Sequence, residues 1–203
     1  MKRLLDIAVS GAGLVLTSPI LLAAAIAVKV ETPGSAFYSG RRVGKDGRAF
    51  GILKLRTMRA GADQQGPAVT AGGDPRITSV GRFLRRTKID ELPQLLNVLK
   101  GEMSLVGPRP EHPDYVARYT PEQRRVLTVR PGITGPAALA FVDEEEQLRG
   151  ADPEAAYLAD VTPQKLAVDL EYVDSASVGG DLRILGRTLL VVARRAVGFR
   201  RRG

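Results

Sequence analysis

The chain contains no cysteine and no tryptophan, a single histidine, and only five Phe and five Tyr among its 203 residues. Without cysteine there is no disulfide framework, thiolate metal site or thiol nucleophile. A lone His112 excludes multi-histidine metal motifs and argues against a Ser/His or Cys/His triad. Any metal therefore has to be a hard ion held by oxygen. The sparse aromatics form no stacking platform of the kind that single-stranded nucleic acid uses. Negative charge is also scarce, with 30 Lys plus Arg against 22 Asp plus Glu for a net +8. Anionic partners are expected: acidic lipid, a phosphorylated ligand or nucleic acid. The length suits one domain, with or without a membrane element.

What the chain does have is a 22-residue run without charge, "IAVSGAGLVLTSPILLAAAIAV", from Ile7 to Val28. At 1.5 Å per residue this covers a hydrocarbon core about 30 Å thick. A signal peptide and a buried core helix are its competitors, but the run is long and no cysteine-bearing secreted domain follows. Ser18 and Pro19 fall in its middle, where a proline removes a backbone hydrogen bond and is expected to kink or break the helix. Lys2 and Arg3 precede the run, and Lys29, Arg41, Arg42 and Lys45 follow it. Because positive charge favours the cytoplasmic side, both ends read as cytoplasmic, which a re-entrant helix satisfies; an ordinary spanning helix with a tolerated proline is the alternative.

Beyond residue 30, "AFYSGRRVGKDGRAFGILKLRTM" reads as a β-hairpin turning at Lys45-Asp46-Gly47-Arg48. Period two sends Lys54 and Arg56 to one face. The Gly- and Pro-rich residues 60–75 read as a mobile loop, and 130–136 as a turn-rich connection. Helix starts are expected at Thr120-Pro121, where Gln123 completes a capping box, at Asp152-Pro153 and at Thr162-Pro163. Residues 181–203 alternate arginines with Leu, Ile, Val and Phe at helical spacing. This is a basic amphipathic helix, which either lies on a membrane surface or packs on the core. The predicted fold class is α/β but mostly helical: membrane helix, short hairpin, several short helices and a C-terminal amphipathic helix, divided as a membrane segment 1–30 and a catalytic domain 31–203.

Asp90 and Glu91 stand side by side at a helix start, where acids commonly do no more than complement the helix dipole. Lys54, Arg56, Arg85 and Arg109 change that reading, since several cations around one carboxylate pair suit a diphosphate substrate. An aspartate can act as the nucleophile through an acyl phosphate, and its glutamate neighbour can hold Mg²⁺.

The stretches "DELPQLLNVLKGEMSLVGPRPE", "LKLRTM", "DPRITSVGRFLRRTKI", "RPGITG", "LTSPILL" and "DLEYV", together spanning nearly the whole chain, closely resemble the bacterial sugar transferase family, the monotopic polyprenyl-phosphate phosphoglycosyl transferases. The resemblance implies an enzyme on the cytoplasmic face of the bacterial inner membrane. It would move a phospho-sugar from a nucleotide-sugar, usually a UDP-sugar, to polyprenyl phosphate, with release of a nucleoside monophosphate. By position, Asp90 matches the aspartyl nucleophile and Glu91 its Mg²⁺-associated neighbour. Lys54, Arg85 and Arg109 match basic phosphate positions, Pro108 and Pro110 flank Arg109 to hold it, and Ser18-Pro19 matches the break of a re-entrant helix. The short length reads as a stand-alone catalytic domain, and homodimerisation is left open. One segment departs from the pattern: after "RPGITG" the chain carries Asp143, Glu144, Glu145 and Glu146 in a row, which reads as a solvated loop. Interface anchoring would rest on Phe37, Tyr38, Phe199 and the arginines. The competing readings are a basic nucleic-acid-binding protein, which leaves the apolar run unexplained, and an inactive membrane scaffold, which leaves Asp90, Glu91 and Arg109 unexplained.

Overall fold

A computed structural model describes residues 1–62, 66, 69–148, 152–196 and 198 of the chain. Helix α1 (Lys2–Glu31) is about 45 Å long at 1.5 Å per residue, and by length and composition it is able to cross a membrane. At Ser18-Pro19, where a kink or break is expected, helical backbone continues through Pro19 without interruption. The reason is local. Pro19 has no N–H for the Val15 carbonyl, and the Ser18 hydroxyl donates to that oxygen instead at 2.8 Å.

One side of α1 is docked along its length. Asp6 is 2 % exposed and accepts hydrogen bonds from the Ser104 hydroxyl and the Leu105 N–H. Lys2 donates to the Val106 carbonyl and pairs with Asp181, and Arg3 donates to the Val98 carbonyl at 2.6 Å. At the far end, Glu31 accepts the N–H groups of Ser79 and Val80, while Arg56 donates to the Thr32 and Pro33 carbonyls. The other side is bare and apolar, including Val15, Leu16, Leu22 and Val30.

Strands β1 (Phe37–Val43) and β2 (Ala49–Leu55) pair antiparallel. The sequence-predicted turn is present: Asp46 and Gly47 both take positive φ, 57° and 75°, which matches a primed turn to the twist of the strands. Helix α2 (Ser79–Thr87) is capped by the Thr78 side chain. It is followed by a 3₁₀ turn, Ile89–Glu91, and by α3 (Gln94–Lys100), which ends at Gly101 with φ 86°. Asn97 fixes α3 to β2, accepting the Leu53 N–H at 2.9 Å and donating to the Gly51 carbonyl and to Glu102.

Residues 130–136 are more than a connection. β3 (Ser104–Val106) pairs parallel with β4 (Gly132–Thr134). The strands cross so closely that a Cβ on Gly132 would stand 2.1 Å from the Gly107 nitrogen, so only glycine fits there. Helix α4 (Pro113–Val116) follows β3. Then comes a 3₁₀ segment, Gln123–Thr128, whose expected capping box is formed by Thr120 and Gln123.

Helices α5 (Pro136–Ala140) and α6 (Glu144–Gln147) lead to α7 (Pro153–Ala156), capped by Asp152 as expected. The start expected at Thr162-Pro163 is met by α8 (Thr162–Ser175), which follows α7 directly through a π turn, Tyr157–Val161. The wider turn brings the Thr162 N–H back to the Tyr157 carbonyl, just where Pro163 next removes a donor. The loop after β2 is not free of the core either, since Ala62 and Val69 are buried, the latter against Tyr115, Leu148 and Tyr157.

The last helix, α9 (Val178–Ala196), follows the core-packed reading on one side. Asp181 is buried against Lys2 and Tyr172, and Ile184 and Leu185 pack on the cluster of Leu95, Leu105, Val106 and Tyr172. Leu182, Leu189 and Leu190 are exposed on the opposite side. Phe199 and Arg200, Arg201 and Arg202 lie outside the described residues.

Replacing Asn97 by Ala strands the Leu53 N–H, the Gly51 carbonyl and one oxygen of Glu102 near the core. The expected loss is about 2–4 kcal/mol, measured by chemical denaturation in detergent micelles. A change below about 0.5 kcal/mol would show that β2 is held without this amide.

Candidate active site

The site begins where α2 ends. Lys88 adopts the left-handed region, φ 59°, and stops the helix. That reversal places Asp90 and Glu91 in the next turn, facing the hairpin, where both are buried at 5 % and 8 % exposure.

Three cations converge on one atom. Glu91 Oε1 accepts from Lys54 Nζ at 3.1 Å and Arg109 Nη2 at 3.2 Å, and Lys88 Nζ stands 4.0 Å away. Burial alone would raise Glu91, but Lys54, Lys88 and Arg109 outweigh it and hold its carboxyl well below the usual range. Asp90 goes the other way: burial, then the adjacent Glu91 charge, raise it. Its Oδ1 is buried without any hydrogen-bond partner. The pair is thus divided into a permanently charged member, gripped by cations, and a member with an uncommitted oxygen. Glu91 Oε2 also accepts no bond from any described residue.

The predicted residues divide accordingly. Lys54 and Arg109 meet at Glu91, and Arg85 lies close enough for its charge to favour ionised Asp90. Arg56 does not join them, because its guanidinium caps the carbonyl end of α1. Pro108 and Pro110 do flank a fixed loop. The Pro108 carbonyl accepts the Gly132 N–H at 2.8 Å, and Glu111 beyond accepts the Val43 N–H at 3.0 Å, so Arg109 projects from a segment tied on both sides.

The sequence reading missed the groups behind that loop. Lys165 is 5 % exposed; it donates to the Tyr157 hydroxyl at 2.9 Å and pairs with Glu144 at 2.8 Å and Glu111 at 3.5 Å. Glu144 therefore belongs to no solvated loop, and its neighbour Asp143 pairs with Arg195. Asp169 lines the cavity beside Pro108, Arg109 and Lys165 with its Oδ1 unpartnered. Burial pushes it up to about 6, against the backbone N–H of Ala137, Lys165 and the N–H of Arg109. The signal was a polar residue at helical spacing in an otherwise apolar face of "KLAVDLEYV".

The model for the bacterial sugar transferase family matches residues 1–195. The chain is 43% identical over 191 residues to the UDP-glucose:undecaprenyl-phosphate glucose-1-phosphate transferase of Caulobacter vibrioides, covering 93% of this chain and 68% of that protein. It is 38% identical over 206 residues to the exopolysaccharide production protein PSS of Rhizobium leguminosarum bv. phaseoli, at 98% of each. It is also 37% identical to the UDP-N-acetylgalactosamine-undecaprenyl-phosphate N-acetylgalactosaminephosphotransferase of Aeromonas hydrophila, over 95% of this chain but 43% of the larger protein.

Asp169 makes stability depend on pH in a defined direction. Its folded pKa, about 6, lies above an unfolded value near 3.9, so its contribution is present in full below about pH 4 and lost as pH rises through 6. Asp169→Asn does not titrate. Relative to wild type it should gain roughly 3 kcal/mol between pH 4 and pH 7, read from denaturation curves at the two pH values. A constant difference between the two proteins across that range would remove Asp169 as the titrating group.

Proposed function

The chain belongs to the bacterial sugar transferase family, and from that premise we propose that it transfers a sugar 1-phosphate from a UDP-sugar to undecaprenyl phosphate. The step releases UMP and begins the assembly of a lipid-linked glycan or exopolysaccharide. The observation that carries this reading is the division of the carboxylate pair, with the cations gathered on Glu91 Oε1 and Asp90 Oδ1 buried and uncommitted.

In the proposed reaction Asp90 Oδ1 attacks the sugar-bearing phosphorus of the UDP-sugar. The bond from that phosphorus to the bridging oxygen breaks, and UMP leaves with the bonding pair. An oxygen of undecaprenyl phosphate then attacks the same phosphorus, and the Asp90 oxygen leaves as carboxylate. Arg109, Lys54 and Lys88 supply positive charge where the diphosphate oxygens lie, and a fixed guanidinium fork suits two of them at once.

The residues present fit a magnesium ion. Among the described residues no group of three or more His, Cys, Asp or Glu gathers around a metal position. Asp90 and Glu91 with free oxygens match an ion that takes one or two carboxylates and completes its shell from water and substrate phosphates. When bound, Mg²⁺ supplies charge neutralisation at the diphosphate.

We further propose that α1 is monotopic, entering and leaving the membrane by the cytoplasmic face of the bacterial inner membrane. Support comes from its two ends, both tied to the one domain through Lys2, Arg3, Asp6 and Glu31, and from its bare apolar flank. The chain has no cysteine, so a cysteine inserted after Met1 and one at Ser35 are each unique. In intact cells both should escape an impermeant thiol reagent and react only after lysis. Labelling of either one from outside contradicts the monotopic placement.

The chemistry is tested without lipid. With Mg²⁺ and a panel of UDP-sugars that includes UDP-glucose and UDP-N-acetylgalactosamine, the wild-type protein should release UMP. It should also gain the mass of one sugar phosphate, which hydroxylamine removes. Asp90→Asn, with a much poorer nucleophile of nearly the same shape, should gain nothing. An adduct on Asp90→Asn, or UMP release only after undecaprenyl phosphate is added, points instead to direct attack by the lipid phosphate.

A further inference from the structure

Leu92 and Pro93 keep helical backbone between the 3₁₀ turn and α3, so Glu91, Gln94 and Asn97 fall on one row at three-residue spacing. Two members of the row are tied to β2, Glu91 through Lys54 and Asn97 through Leu53 and Gly51. Gln94 lies between them at 1 % exposure, yet its Nε2 meets no acceptor. It also stands four residues, one helical turn, from Asp90, whose Oδ1 is the complementary orphan. A buried amide with an unused donor costs the fold stability that Leu or Met at the same place would avoid, so such a group calls for a role.

The surroundings define what it would bind. Lys54, Lys88, Arg85 and Arg109 make the neighbourhood positive, which selects an anionic acceptor. Donor and acceptor are not joined to each other here. A phosphoryl group with its phosphorus at Asp90 Oδ1 and one nonbridging oxygen at Gln94 Nε2 would satisfy both at once. We propose that Gln94 is a further functional side chain of the site, donating a hydrogen bond to a nonbridging oxygen of the phosphoryl group that Asp90 attacks. The inference rests on the sugar-phosphate transfer reading above and extends it to an uncharged residue beside the carboxylates and cations.

The test uses the full chain in detergent, with Mg²⁺ and the UDP-sugar that gives wild type its adduct. Gln94→Met, unbranched and of similar length, should keep or raise the thermal midpoint while slowing single-turnover UMP release ten- to a hundredfold. The decisive readout is a UDP-sugar with sulfur in place of a nonbridging oxygen on the sugar-bearing phosphate. Sulfur accepts hydrogen bonds weakly, so it should slow wild type in one diastereomer and slow Gln94→Met much less. Gln94→Leu serves the same comparison if the Met variant does not fold. Release within twofold of wild type overturns the role. So does slow release with the full wild-type sulfur effect, since Gln94 would then act through packing or through Asp90. If wild type forms no adduct with any UDP-sugar, the transfer reading falls and Gln94's role with it; if wild type forms one and the variants keep pace, only the role of Gln94 falls.

Discussion

Burying two adjacent carboxylates is unfavourable unless their charge is answered, and the answer given to Glu91 organises this molecule. Its three cations come from three different places: Lys54 from the second hairpin strand, Lys88 from the end of α2, and Arg109 from the loop after β3. Lys54 and Arg109 bond Glu91 Oε1 directly, and losing either takes a partner from a carboxylate whose burial opposes its charge. The hairpin, the helix end and the loop therefore have a common reason to stay where they are. Asp90 benefits by contrast. It shares the burial of Glu91 but none of its direct bonds, and so keeps an oxygen available for chemistry.

The scaffold behind Arg109 shows how a side chain far from the pair takes part in holding it. The loop is tied to β4 through Gly132 and to β1 through Val43. Its back faces Asp169, Lys165 and Tyr157, and the last two close into a network with Glu111 and Glu144. Proline on both sides of Arg109 limits the backbone, and the network limits where that backbone can sit. Charge reaches the guanidinium from this side too, since Glu144 and Glu111 add to Glu91 in stabilising its protonated form.

Features set by local chemistry were legible in the residues. The Asp46-Gly47 turn, the Thr120-Gln123 box and the Asp152 cap each depend on neighbours a few positions apart. Asp90, Glu91, Lys54 and Arg109 were legible as a group through charge, spacing and resemblance. The misses at Arg56 and Asp6 come from long-range pairing. Arg56 shares the period-two register of Lys54, but no periodicity says that α1 ends beside it with carbonyls to cap. Strands of three residues, such as β3 and β4, are too short to show alternation. Asp6 was passed over at the edge of an apolar run, and its partners lie about a hundred residues away. Ser18-Pro19 reads as a kink or break because proline's missing donor is visible in sequence, whereas the hydroxyl that takes up the Val15 carbonyl matters only once the helix exists.

The close seat of α1 on α3 has a consequence for geometry at the bilayer. A Cβ on Gly13 would stand only 3.2 Å from Leu95 Cδ1, so the Leu95 side chain seats against the bare backbone of α1 about one turn from Asp90 and Glu91. Under the proposed topology, the depth at which α1 floats in lipid sets the height of the reacting carboxylate above the acyl chains. Anchor and nucleophile then form one rigid gauge rather than two parts joined by a tether. A polyprenyl phosphate, whose own headgroup sits at a level fixed by its tail, would meet Asp90 by altitude as much as by affinity. A thinner or thicker membrane would detune that meeting without touching a single side chain of the site.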